Sequence, residues 1–590
     1  MSEVFSNRWS SSLGGLQAAV DAALAKLHEQ GFTRRLGERD PGLWKSEPEH
    51  QRVIKNALGW LSVPGEMLKS LDQLQGLVNE IRSQGFKHAG LLGMGGSSLC
   101  PDVCRATFGA APGFLELHVL DSTVPASVAR IEKQIDLGRT LFLVSSKSGG
   151  TAETLSFYKY FFDRFKASKG ERAGENFVAI TDPGSSLEKL AHEKGFCRVF
   201  PGQPDIGGRF SALSNFGIVP AALAGVDVRA LLARGAEMAK ACGTNGSEKE
   251  NPGVALGAIL GAAGLAGRDK VTFLVSPGIE TFGDWVEQLL AESTGKEGKG
   301  LVPVVQEYLG VPEVYGNDRL FVSMSLASEV DEKLEAGLRA LETAGHPVIR
   351  IELAEKLDLG AEFFRWEVAT AAAGALLGIN PFDQPNVQES KNNTNRLLAQ
   401  YKAEGHFARE APGAEAEGLE LYCDPASRET LVKNSQRVGG NAGSLEGTLA
   451  AFLEQRQPND YVALLAYVDA SSGHKAILRT ARMRLRDALR LATTAGFGPR
   501  YLHSTGQLHK GGSNNGLFIQ ITAADAKDLA VPGEPFTFSV LKQAQALGDF
   551  ESLRSKGRRV VRVHVGKEVQ AGLDRFATLV EESLRRLQIT

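Results

Sequence analysis

Glu292 closes the run Trp285-Val286-Glu287-Gln288-Leu289-Leu290-Ala291-Glu292, and Ser293-Thr294-Gly295-Lys296 follows it. A carboxylate with an apolar lead-in can have its pKa raised toward neutrality, which suits it to take a proton. The end of a helix is electrostatically poor for a carboxylate, so a role in chemistry would explain the placement. An exposed helix-end glutamate is the ordinary alternative. Gly207-Gly208-Arg209-Phe210-Ser211 holds an arginine on a glycine turn, from which it could reach a developing oxyanion or simply stand at the surface. Asn380-Pro381-Phe382-Asp383-Gln384-Pro385-Asn386-Val387 reads as a turn, with Lys391 on the helix after it. His503-Ser504-Thr505-Gly506-Gln507-Leu508-His509-Lys510 places two histidines among glycines and hydroxyls, where core positions are not expected. A solvated loop is the alternative there.

Two glycine-rich turns point to a phosphate. Gly93-Met94-Gly95-Gly96-Ser97-Ser98 follows a short apolar run and precedes a helical stretch. Glycines let backbone approach an anion, and free N–H groups at a helix start favour negative charge. The position of a third glycine in the GxGxxG pattern holds Ser98, so this is not the dinucleotide fingerprint, and a tight turn without a ligand stays open. Ser145-Ser146-Lys147-Ser148-Gly149-Gly150-Thr151 also follows an apolar run, and Glu153-Thr154 opens the next helix. One hydroxyl there would be an ordinary cap; so many, with two glycines, exceed what capping needs. At the same edge of one sheet, the two turns would hold one phosphate-bearing ligand. No G-x-x-x-x-G-K-[ST] or H-E-x-x-H pattern occurs.

The elements that must position these residues are short strands alternating with helices. Strands are expected at 88–92, 117–120, 141–145 and 177–181, with helices at 125–135, 152–166 and 186–193. A second unit has strands at 271–275, 320–324 and 347–352 and helices at 281–293, 331–344 and 363–377. A third has strands at 461–467, 517–522 and 560–565 and helices at 475–492 and 570–587. Such alternation predicts parallel sheets covered on both faces. Residues 10–85 read as amphipathic helices, with Leu13, Leu16, Val20, Leu24 and Leu27 at three- and four-residue spacing. Residues 402–417 read as a linker, and the apolar run 368–379 as a buried helix. The expected organisation is α/β: a helical N-terminal cap (1–85), two doubly wound parallel-sheet domains (86–245 and 246–405) and a third C-terminal α/β domain (406–590).

Composition narrows the function classes. Lys+Arg is 66 against Asp+Glu 69, a net charge of −3, which argues against a nucleic-acid binder. Glycine is in surplus, 66 of 590 residues against a usual frequency of about 7%. Five scattered cysteines without a C-x-x-C pair read as reduced thiols in a cytoplasmic protein. No export signal and no membrane span are expected.

Taken together, the segments resemble the phosphoglucose isomerase family, built from sugar-isomerase (SIS-type) domains. Gly93–Ser97 looks like the family's GIGGS turn, and SKSGGTAET from Ser146 to Thr154 is similar to its SKTFTTxET phosphate loop. GGRFS matches GGR[YF]S, ESTGK from Glu292 to Lys296 is similar to ESNGK, and FDQPNVQESK resembles FDQWGVELGK. The motifs occur in family order over roughly residues 90–400. The family's histidine motif, expected between the glutamate and lysine motifs, is not found there. LHSTGQLHKGG, with His503, follows the lysine motif instead. This order resembles the isomerase half of fused transaldolase/phosphoglucose isomerase proteins.

The resemblance implies an aldose–ketose isomerase acting on glucose 6-phosphate and fructose 6-phosphate, a step of glycolysis and gluconeogenesis. It implies Glu292 as base, Arg209 as enediolate stabiliser, and His503 and Lys391 in ring opening. Glu153 would orient His503. Gly96, Ser97, Ser146, Lys147, Ser148 and Thr151 would hold the phosphate, and Gln288 and Gln384 the sugar. No cofactor or metal is implied. The partner is a small-molecule sugar phosphate, and a homodimer is possible, since in the family a neighbouring subunit supplies the histidine. Alternatives are isomerisation of mannose 6-phosphate or an amino-sugar phosphate, or a non-catalytic sugar-phosphate sensor.

Overall fold

Strand β1 (Arg8–Ser12) lies far in sequence from its sheet, and the others follow in chain-order groups. The first group is β2 (His88–Leu92), β3 (Glu116–Leu120), β4 (Thr140–Ser145), β5 (Phe177–Thr181) and β6 (Arg198–Pro201). The second is β7 (Lys270–Val275), β8 (Val302–Val304), β9 (Arg319–Leu326) and β10 (Val348–Leu353). The third is β11 (Ala414–Ala416), β12 (Leu419–Tyr422), β13 (Tyr461–Tyr467), β14 (Ala492–Phe497), β15 (Gly516–Thr522) and β16 (Arg559–His564). The computed structural model describes residues 8–243, 247–408, 410–437 and 443–587.

These strands form three sheets ordered β3-β2-β4-β5-β6, β1-β10-β9-β7-β8 and β11-β12-β16-β15-β13-β14. The first is parallel throughout. The second is parallel except for β1, which runs antiparallel to β10. The third is parallel from β16 to β14, and β11 and β12 add an antiparallel edge. Helices cover both faces, which is why central strands such as β4 and β5 are buried along their whole length. The fold is α/β with parallel sheets, as the alternation of elements predicts.

The helix Leu359–Leu377 is buried at every residue, as its apolar run predicts. One core continues through it. That core joins the N-terminal helices (Leu27, Phe32, Trp60) to β2 and β4 (Leu91, Leu143) and to β7 and β9 (Val271, Val322). The third sheet has its own core around Leu464, Ile519 and Val561. A separate cluster of Ala291, Val302, Val304, Tyr461, Leu465, Tyr501 and Leu508 fastens it to the second group of strands.

The structure amends three local expectations. The N-terminal segment is not all helical: Arg8–Ser12 pairs with β10 in the register Trp9↔Ile351. The segment read as a linker holds the end of the helix Pro385–Glu404 and all of β11; Arg409 within it lies outside the described residues. The helix read over 475–492 runs Ser472–Leu489, and Ala492 already belongs to β14. Residues 1–7, where no export signal is expected, also lie outside the described residues.

Candidate active site

In the first sheet the chain runs outward from β2 to β3 on one side and from β4 to β6 on the other. The order therefore reverses between β2 and β4, and in open parallel sheets ligands bind at that point, beyond the strands' carboxyl ends. The two glycine-rich turns are the segments that follow β2 and β4. Gly95 has φ +54°, a conformation that favours glycine. A Cβ on Gly96 would lie 2.0 Å from the Gly208 carbonyl oxygen, so the first turn meets the Gly207-Gly208-Arg209 turn backbone to backbone. Ser97 is buried beside it.

In the second turn, Ser146 Oγ lies 3.0 Å from Thr151 Oγ1 and accepts the Gly149 N–H at 3.2 Å. Ser148 Oγ accepts the Gly150 N–H at 3.4 Å, and Ser148 and Gly150 are exposed at the open face. No side chain caps the helix Ala152–Lys169 that the turn opens. Its first N–H groups thus remain suited to an anion. Lys147 is placed differently from the expectation that it holds phosphate. Its ammonium donates to Asp182 Oδ2 (2.6 Å) and to the carbonyls of Gln203 (2.9 Å) and Pro204 (3.3 Å). That engages all three N–H donors and braces the turn from behind.

Glu292 sits in the last turn of the helix Phe282–Thr294 and is 8% exposed. Its Oε1 lies 3.2 Å from Arg209 Nη1, and its Oε2 accepts from Gln288 Nε2 at 3.0 Å. Arg209 donates further to Ser293 Oγ (2.7 Å), Gln384 Oε1 (3.1 Å) and the carbonyls of Pro381 (2.6 Å) and Asp383 (2.9 Å). The guanidinium is held in one orientation by this set. Burial lowers its pKa, and the charges of Glu292 and Asp383 oppose that shift. Gln288 Nε2 also donates to the His503 carbonyl at 2.7 Å. Its Oε1 is buried without a protein partner among the described residues, an acceptor left unused by the fold.

His503 comes from the loop after β14. Its Nε2 lies 2.9 Å from Glu153 Oε1, and that oxygen also accepts from Gln545 Nε2 at 2.7 Å. Burial pushes the Glu153 carboxyl up, but the attraction and hydrogen bond of His503, with the nearby Lys391 charge, bring it below the usual carboxylate range. Lys391 itself is exposed on the helix Pro385–Glu404. His503 thus reaches Glu153 of its own chain. The other histidine of the motif behaves otherwise. His509, not expected in the core, is 3% exposed and packs edge-on against Phe518. Burial drives its pKa well below the ordinary imidazole value.

Several residues that position the site carry no sequence signal of their own. Thr123 Oγ1 donates to Gln545 Oε1 at 2.7 Å, which fixes the amide that holds Glu153. Gln507 bridges Gly295 O (2.9 Å) and Asn386 Oδ1 (2.8 Å), tying the histidine loop to the segments after Glu292 and Gln384. Arg500 pairs with Asp102 (3.4 Å) and Asp121 (3.3 Å) and locks the same loop to the first sheet. Lys296 donates to Asp383 Oδ1 at 2.7 Å; burial and the Arg209 charge lower its pKa to about 8. The places of Lys296 in ESTGK and of Gln507 in LHSTGQLHKGG are the available hints.

Comparisons with known proteins identify relatives of this chain. A family model described as phosphoglucose isomerase matches residues 61–316. The glucose-6-phosphate isomerase of Rubrobacter xylanophilus is 30% identical over 394 residues, which is 58% of this chain and 89% of the relative. That of Campylobacter jejuni is 30% identical over 354 residues, 53% of this chain and 85% of the relative. Among solved structures, a Thermus thermophilus protein described as hypothetical aligns with a TM-score of 0.56 at 26% identity, covering 67% of this chain and 100% of that one. A glucose-6-phosphate isomerase from Chlamydia trachomatis aligns with a TM-score of 0.52 at 20% identity, covering 68% of this chain and 89% of that one, a likeness of fold. The matched region carries both glycine-rich turns, Arg209 and Glu292, and the chain belongs to the phosphoglucose isomerase family.

Proposed function

We propose that this chain is a glucose-6-phosphate isomerase that interconverts glucose 6-phosphate and fructose 6-phosphate through a cis-enediolate. The observation that carries the reading is the joining of Arg209, Glu292, Gln288 and His503 by one ion pair and two hydrogen bonds against the glycine turn after β2. The substrate phosphate lies against the backbone N–H of Gly96 and the hydroxyls of Ser97, Ser146, Ser148 and Thr151. Fixing this unreacting end orients the reacting carbons. Lys147 supports that turn through Asp182.

His503, oriented by Glu153, protonates the ring oxygen, and Lys391 assists ring opening. A carboxylate on one imidazole nitrogen sets the tautomer and the orientation of the ring. Glu292 then takes the C2 proton and returns it to C1. As Glu292 is neutralised, negative charge appears on the enediolate oxygen, and Arg209 stabilises it. Gln288 Oε1 accepts a sugar hydroxyl, and Gln384 contacts the sugar from beyond Arg209. The sequence of steps balances without a redox partner, because the proton lost at C2 is regained at C1 and the hydroxyl proton lost at O2 is regained at O1.

The substrate is a small sugar phosphate. No helix among the described residues is long and apolar enough to cross a membrane. Five unpaired cysteines, three of them buried, support a reducing compartment such as the cytoplasm. A homodimer is compatible with this reading, although His503 reaches the site within one chain.

The test is to incubate the purified chain in heavy water with glucose 6-phosphate, mannose 6-phosphate and glucosamine 6-phosphate separately. Fructose 6-phosphate formed from glucose 6-phosphate, with deuterium entering at C1, is expected. Faster turnover of either other sugar would reassign the substrate. Binding without turnover would make the chain a sensor.

A further inference from the structure

The first sheet carries a second polar cluster, at the end opposite the phosphate turns. β2 begins at His88 and β3 at Glu116, and the two strands pair in the register His88↔Glu116 and Gly90↔His118. Alternate residues of a strand point to one face, so His88, Glu116 and His118 stand on the same side. His88 Nδ1 is 3.1 Å from His118 Nε2 and 3.5 Å from Glu116 Oε2, and His118 Nε2 is 3.8 Å from that oxygen.

We propose that His88, Glu116 and His118 form a transition-metal site, with zinc as the ion that their chemistry fits best. A tetrahedral zinc ion with ligands at about 2.0–2.1 Å has ligand–ligand edges of about 3.3–3.4 Å. The three observed edges bracket that value, so an ion enters without movement of the strands. Two imidazoles and one carboxylate suit zinc and its neighbours, whereas calcium and magnesium require oxygen-rich shells. The fourth position is left for water.

The site is also reachable. The His118 side chain is 9% exposed, that of His88 18% and that of Glu116 64%, so an ion approaches from the glutamate side. β2 is five residues long, which places the cluster about 16 Å from the turn that follows the strand. The ion therefore takes no part in isomerisation. It clips β2 to β3, and β2 is the strand that presents the Gly93–Ser97 turn.

The competing arrangement is an imidazole–imidazole hydrogen bond with no affinity for metal. Metal-free full-length chain is titrated with zinc chloride by calorimetry, and in parallel with cobalt chloride by visible absorption. One zinc per chain and an intense tetrahedral cobalt band are expected. His88→Ala is expected to abolish both, and Glu116→Gln, at an exposed position, to weaken zinc binding about tenfold or more. Zinc should raise the Tm of the unsubstituted chain and not that of His88→Ala. Absence of zinc uptake, or equal uptake by the unsubstituted chain and both variants, overturns the proposal.

Discussion

Arg209 Nη1 stands 3.2 Å from Glu292 Oε1, with the two side chains 2% and 10% exposed. The two charges neutralise each other in the resting site. In the proposed reaction the negative charge leaves Glu292 for the substrate oxygen, and the arginine does not need to move to follow it. Preorganised charge of this kind often supplies the largest part of a rate enhancement. Glu292→Gln keeps the shape and the Gln288 contact but removes the base. The expected outcome is a folded protein whose kcat falls by about two decades or more, read by steady-state kinetics beside circular dichroism. Turnover near that of the unsubstituted enzyme would remove Glu292 from the mechanism.

Ring opening can be separated from proton transfer. His503→Ala should slow turnover of the closed-ring sugar far more than that of an open-chain substrate. Gln545→Leu leaves the histidine in place and removes one of the hydrogen bonds on Glu153 Oε1. A smaller loss with the same substrate dependence is expected, because the residue acts through Glu153. Equal losses on both substrates would argue against the ring-opening role.

His503 and Glu153 meet within one chain, 2.9 Å apart. A mixture of the His503→Ala and Glu292→Gln variants should therefore show no more activity than the two variants assayed singly. Recovery of a substantial fraction of activity on mixing would mean that a neighbouring subunit supplies the histidine.

The contact of Gly96 with Gly208 leaves no room for a methyl group, since a Cβ would lie 2.0 Å from a carbonyl oxygen. Gly96→Ala must push the phosphate turn and the Arg209 turn apart. Overpacking of this kind costs roughly 1–3 kcal/mol in stability. KM for the sugar phosphate should rise and kcat should fall together, because both turns move. Unchanged kinetics would place the ligand elsewhere.

Glu287 lies one residue before Gln288, beside Asp284, Arg482 and Arg500. Burial, reinforced by the Asp284 charge, raises its pKa to about 8. The native protein then binds more protons than the unfolded chain between about pH 4.5 and pH 8. Stability is consequently lost as pH rises through that window and levels off above it. Glu287→Gln should flatten this slope, so that its Tm advantage over the unsubstituted chain grows between pH 5 and about pH 8. A constant difference across that range would rule out the titration.

The central strands and the chemistry-bearing turns are legible in the amino-acid sequence. β2, β4, β5, β7, β9, β13 and β15 are apolar runs that only a sheet covered on both faces can bury, and that pattern is local. The expectations missed β1, β6, β8, β11 and β14, all of which are sheet edges, and β12, which pairs with the edge strand β11. Edge strands are short or half-exposed, and β14 reads Ala-Thr-Thr-Ala-Gly-Phe, so their hydropathy gives little signal. The glycine surplus was legible as a count, and its meaning at Gly96 came from the Gly208 backbone lying against it. Residue types named Glu292, Arg209 and His503. Only tertiary structure could turn Lys147 toward Asp182, bury His509 against Phe518 and recruit Gln545, Gln507 and Arg500. Those assignments depend on which of several polar groups finds a partner across chain separations of up to about 400 residues, and spacing along the chain does not encode that choice.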